Sequence, residues 1–155
     1  MMSRGIRAEV MIQETAACPV AGAAREVDAS AFAISKSLDP SGNGTLTEEF
    51  MLDIGSRTAP PAVEVELDEV FSYGSKSAYR FTRDHGWGCP CECVEEHGCP
   101  VVDVHTRGGT LYLVFHAADM TQLQTVIESL RARYPDVDIQ RLLRSEHDHP
   151  EGDLV

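Results

Sequence analysis

Four cysteines, Cys89, Cys91, Cys93 and Cys99, fall within eleven positions of the segment GWGCPCECVEEHGCP, residues 86–100. A fifth, Cys18, stands far upstream in AACPVA. Deprotonated thiols are soft metal ligands and redox-active groups, so sulfur concentrated this way suits a metal centre or thiol chemistry. Five cysteines cannot all pair internally, and a reducing cytosol disfavours disulfides. In an extended chain, side chains two residues apart share a face, which predicts one face for Cys89, Cys91 and Cys93. Cys99 can fold back across VEEHG. Three ligands are then local, and the fourth is either Cys93 or the distant Cys18. Structural zinc normally uses paired C-x-x-C knuckles, absent here, although His97 or His85 could replace a thiolate. Iron–sulfur clusters accept more varied cysteine spacings, including three local ligands and one remote. Spacing alone leaves iron–sulfur and zinc both open.

The elements that must hold these cysteines read as largely β. Ile6, Ala8, Val10 and Ile12 alternate, as do Phe32, Ile34 and Leu38, and Leu46, Phe50, Leu52 and Ile54; each set predicts a half-buried strand. The stretch TAACPVAGAAREVD is small and turn-rich. Between the second and third strands, DPSGNGTLTEEF imitates a calcium loop, but Phe50 occupies the position of the bidentate glutamate and the flanks have period two. A Gly/Asn turn joining two strands is expected, without calcium. Val63, Val65 and Leu67 alternate ahead of a hairpin at YGSKS, and Pro90, Pro100, Gly86, Gly88 and Gly98 mark the cysteine segment as loop. VVDVHTRGGTLYLVFH is a hairpin around Gly108-Gly109, which could bring His105 and His116 near one another. A helix then runs from Asp119 to Tyr134, with Gln122 completing a capping box and Leu123, Val126, Ile127 and Leu130 along one face. DVDIQRLL returns as a strand. The expected fold is α+β, a largely antiparallel sheet with one main amphipathic helix (119–134) packed on one face. Residues 1–145 form one domain, and 146–155 are a polar tail. Trp87 beside the cysteines could shield them, and His147 and His149 are read as solvated.

Composition limits the function. Twenty-five acids face thirteen bases, for a net charge of −12, and the only lysines are Lys36 and Lys76. Such a surface suits molar salt, where screening acts within about 3 Å. No basic patch is available to grip nucleic acid. No apolar run approaches membrane-spanning length and the N-terminus lacks a signal-peptide core, so a cytoplasmic protein is expected. No nucleophile–base set or phosphate loop suggests an enzyme.

Cys18 followed, after a long gap, by C-x-C-x7-C at Cys89, Cys91 and Cys99 resembles the cysteine motif of haloarchaeal regulators of the bacterioopsin-activator helix-turn-helix type. The closest branch activates nitrate and dimethyl sulfoxide respiration genes. The stretch GCPVVDVHTRGGTLYLVFHAADMTQLQTVIESLRARYPDVDIQRLLRS is similar to that branch as well. The resemblance implies an oxygen-responsive sensor acting through an iron–sulfur cluster on Cys18, Cys89, Cys91 and Cys99. Cys93, an additional thiol inside the motif, is a possible substitute ligand. It also implies that DNA is reached only through a C-terminal helix-turn-helix module absent from this chain, which stops at HPEGDLV. A homodimer is compatible with it. A zinc-stabilised interaction module is the alternative.

Overall fold

The computed structural model describes residues 5–13, 18–55, 61, 63–84, 89–108 and 110–145. In chain order the elements are β1 (Ile6–Gln13), α1 (Pro19–Val27), β2 (Ala31–Leu38), β3 (Thr45–Asp53), β4 (Asp68–Tyr73), β5 (Lys76–Asp84), α2 (Pro90–Glu96), β6 (Val101–Arg107), β7 (Thr110–Ala117), α3 (Met120–Arg133) and β8 (Asp136–Arg144). They build two four-stranded sheets, ordered β6-β7-β1-β8 and β2-β3-β5-β4. All neighbouring strands are antiparallel. The expected α+β class holds. The single sheet with one main helix does not, because a second sheet and two further helices are present.

Each sheet has its own core. In the first, the period-two residues Ile6, Ala8, Val10 and Ile12 of β1 are buried with Leu111, Leu113 and Phe115 of β7 and with Leu123, Val126, Ile127 and Leu130 of α3. Asp119 caps α3 by accepting the Gln122 N–H at 2.9 Å, while the Gln122 side chain accepts from Ala118 N at 2.7 Å. Phe50, Leu52, Tyr79 and Phe81 form the second core with Val20, Ala21, Ala23 and Ala24 of α1. The sheets meet at their edge strands, where the buried Thr106 hydroxyl of β6 accepts the Ala31 N–H of β2 at 2.9 Å.

Two stretches read as turn or loop are helical. In PVAGAAREV the buried positions Val20, Ala21, Ala23 and Ala24 follow helical spacing. Their side chains are too small to register as an apolar stripe, yet alanine is the strongest helix former. Pro19 and Pro90 each occupy the first turn of a helix, where a missing N–H costs nothing. Proline in this chain therefore opens helices where the sequence reading took it to mark loop.

The hairpins fall as expected. The β2–β3 turn is built from Asp39 Oδ1 accepting Ser41 N at 2.9 Å and Asn43 Oδ1 accepting Thr45 N at 3.0 Å. Val63, Val65 and Leu67 alternate in burial and pack on the second core, but the strand begins only at Asp68. His105 lies opposite Tyr112, on which it stacks at 5.1 Å, whereas His116 pairs with Arg7 of β1; the two histidines are not neighbours.

Candidate functional site

Cys18 and Cys89 occupy equivalent places: each is the N-cap of a helix with proline next. Both are extended, with φ −95° for Cys18 and φ −69° for Cys89. Neither side chain caps its own helix, so each sulfur is free to face elsewhere. They face each other. Cys18 and Cys91 both hydrogen-bond to the Cys89 sulfur. Cys18 belongs to the second core and Cys89 and Cys91 to the first, so the contact ties the two halves of the molecule together.

The helical form of α2 separates the cysteines that an extended chain would align. Successive helical residues turn by about 100°, so Cys91 and Cys93 point to roughly opposite sides. Cys93 is fully buried against α3, its Sγ 3.2 Å from Ser129 Oγ. The expectation that Cys93 shares the face of Cys89 and Cys91 is thereby overturned. Cys99 is also buried, 1% exposed, and its thiol is pushed above the ordinary range by burial alone. The structure thus brings Cys18, Cys89 and Cys91 together and turns Cys93 toward α3, while Cys99 is buried in the same first core as Cys89 and Cys91. Among the described residues, no group of three or more His, Cys, Asp or Glu is arranged so that it could hold a metal ion. His97 ends α2 with its carbonyl accepting from Gln122 Nε2 at 3.0 Å. His85 and Trp87 lie outside the described residues, as do His147 and His149.

The three sulfurs do not share one protonation state. Hydrogen bonds from Cys18 and Cys91 hold Cys89 well below the ordinary thiol range against the cost of burial, and the Arg83 charge assists. Donating to Cys89 pushes Cys18 and Cys91 well above that range, and burial adds to it. Of the three, Cys89 is the sulfur on which negative charge is favoured, with the other two thiols as its donors.

Charged side chains from the second sheet and from α2 surround this set. Arg83 of β5, 1% exposed, donates from Nε to Glu48 of β3 at 2.9 Å and from Nη1 to Glu92 of α2 at 2.8 Å. Nη1 also reaches Asp84 O at 3.3 Å, while the buried Nη2 has no partner among the described residues. Burial raises Glu48's carboxyl above its ordinary value, the Cys89 charge adds to this, and Arg83 pulls it back. Lys36 of β2 reaches Glu95 of α2 at 2.8 Å. Burial opposes its charge, but Glu95 and the cysteines carry its pKa above the usual lysine value. The sequence reading missed Arg83, Glu48 and Glu92. Period two in β3 and β5 puts Glu48 and Arg83 on the same faces as Leu46, Phe50 and Phe81, and a charge repeated on two apolar faces was the available signal.

Residues 2–145 match the family described as DmsR, N-terminal domain-like. The chain is also 31% identical, over 157 aligned positions, to the transcriptional regulator NarO of Haloferax volcanii, an alignment covering 99% of this chain and 70% of that protein.

Proposed function

The chain belongs to the DmsR N-terminal domain-like family, and from that premise we propose that it is the sensor part of a transcription regulator of anaerobic respiration genes. Its signal is oxygen or redox state, read through an iron–sulfur cluster held by Cys18, Cys89, Cys91 and Cys99. The observation that carries this is the meeting of Cys18 with Cys89 and Cys91 across two cores, since nothing in packing requires three buried thiols from two cores to share hydrogen bonds. What supports the reading is donor chemistry: sulfur ligands favour thiophilic cations, the Cys89 thiol is held well below its ordinary range, and Arg83 and Lys36 supply positive charge near it, although the described residues are not arranged to hold a metal ion as they stand. When bound, the cluster would supply a one-electron, oxygen-labile centre.

The chain's own residues account for the response. The sulfur contact joins the first turn of α1 to that of α2, and Glu92 and Glu95 join α2 to β5 and β2. A change at the sulfurs is therefore felt at the N-termini of two helices and at the second sheet. Metal–thiolate ligation can contribute on the order of ten kcal/mol to folding, enough to decide between two arrangements of these elements. DNA would be contacted by a helix-turn-helix module outside these residues.

The test is anaerobic purification with iron, sulfide and zinc analysis and a visible spectrum. Stoichiometric iron and sulfide with visible absorption that bleaches in air is expected. Zinc in their place, with no colour, would mean a structural module instead.

A further inference from the structure

Strand alternation gives the second sheet two unlike faces. In β3 the buried positions are Leu46, Glu48, Phe50 and Leu52, so Glu49, Met51 and Asp53 lie on the face away from the core. In β5 the same face carries Lys76, Ala78 and Arg80, opposite in register to those three. Lateral pairing lines these residues up in rows. Phe32, Met51, Ala78 and Phe71 are successive neighbours across β2, β3, β5 and β4, an apolar row spanning the whole sheet. On one side of it Glu49 accepts from Arg80 Nη2 at 2.9 Å, and on the other Asp53 lies opposite Lys76. The row is open: Phe71 is 57% exposed, and Phe32 and Met51 are half-buried. The chain carries a net charge of −12, yet the two middle strands pair an acid with a base on each side of the row.

The placement of those four charges specifies an occupant. A twofold axis running along the strands, between β3 and β5, sets each β3 against the β5 of a second copy. Glu49 then faces Arg80, Asp53 faces Lys76, Met51 covers Ala78 and Phe32 meets Phe71, while Asp68 at the edge meets the uncharged Ser35. A twofold axis across the strands would instead set Glu49 against Asp53 and Arg80 against Lys76, all like charges. The first axis also leaves the strands of the two copies aligned, as face-to-face sheets pack, within about 30°. We infer that the outward face of the second sheet is a self-association surface, on which two copies of this chain pack about the first axis. It is independent of what the cysteines hold.

The experiment is sedimentation equilibrium of the 155-residue chain under reducing conditions, so that thiols do not cross-link copies. In molar salt the wild type is expected to be a reversible dimer. Phe71→Glu, on an exposed strand outside both cores, is expected to dimerise at least about tenfold more weakly. Glu49→Arg and Arg80→Glu are compared at the lowest salt at which the wild type is dimeric. Each is expected to self-associate at least about threefold more weakly, and their equimolar mixture to recover the wild-type affinity, because opposite charges again face each other. Both side chains of that pair are exposed, so far-ultraviolet circular dichroism should match the wild type. A monomeric wild type, a Phe71→Glu dimer as tight as wild type, or a mixture no tighter than its components overturns the inference.

Discussion

At the scale of single residues, the cysteines divide by what their backbones do. Cys18 and Cys89 are N-caps whose sulfurs leave their own helices and meet, whereas Cys93 turns toward Ser129. Cys18→Ser is therefore expected to lose most of its bound iron, as is Cys91→Ser, while Cys93→Ser keeps near-wild-type metal; elemental analysis after anaerobic reconstitution checks this. Full retention by Cys18→Ser with loss in Cys93→Ser would make the ligands all local. A second residue-scale prediction concerns pH. Glu48's carboxyl is raised above its ordinary 4.5, first by burial and then by Cys89. Between those two pKa values the folded chain holds a proton that the unfolded chain has released, so this contribution to stability declines as pH rises through the window. Glu48→Gln removes it. The difference in unfolding free energy should move in favour of the variant as pH is raised from about 4 to about 7, followed by denaturant titration. A flat difference would mean that Arg83 compensates burial completely.

At the scale of elements, α1 is the one whose character the sequence hid. Gly22 sits in its interior, and a β-carbon there would meet only Val63 Cγ1, at an ordinary 3.7 Å. Gly22→Ala should stabilise the protein by about 0.5–1 kcal/mol through reduced backbone entropy in the unfolded chain. A chemical-denaturation midpoint that falls would show that α1 packs more tightly than this contact indicates. The short α2 has only two turns and depends on its surroundings, namely Arg83 on Glu92, Lys36 on Glu95, Arg133 on Glu96, and Gln122 on the His97 carbonyl. The exposed pairs among these contribute little, but the buried Arg83–Glu92 bond is different in kind. Removing one partner of such a pair costs about 3–5 kcal/mol because the other charge stays buried.

At the scale of the whole molecule, two cores are joined by the β2–β6 edge contact and by the sulfur bridge between α1 and α2. Bleaching the reconstituted protein in air is expected to speed hydrogen exchange in the first turns of α1 and α2. α3 should stay protected, because its apolar face is also held by the buried residues of β1 and β7. Unchanged exchange at both helix starts would mean that the cysteine centre transmits nothing to the fold. The net charge of −12 acts on the same scale. Transfer from molar salt to about 0.1 M lengthens the screening distance from about 3 Å to about 10 Å, so the thermal midpoint should fall as self-repulsion grows. No helix among the described residues is long and apolar enough to cross a membrane.

Period-two apolar alternation made β1 and β3 legible without coordinates, β-branched and aromatic residues flanking Gly108-Gly109 did so for the β6–β7 hairpin, and the Asp119 cap with its apolar spacing did so for α3. These signals are local, since a residue's face is set by its own strand or helix. Cysteine spacing likewise pointed to residues that meet in the fold, and the motif included Cys18. What the sequence could not decide was the geometry of α2. Seven residues with a leading proline carry too little periodicity to separate helix from loop, and that choice alone turns Cys93 away from Cys91. Nor could it pair Glu48 with Arg83 and Glu92, which come from three elements in register across a sheet and onto a helix. Burying a charge is tolerable only where opposite charges converge, and that convergence exists only in the tertiary structure.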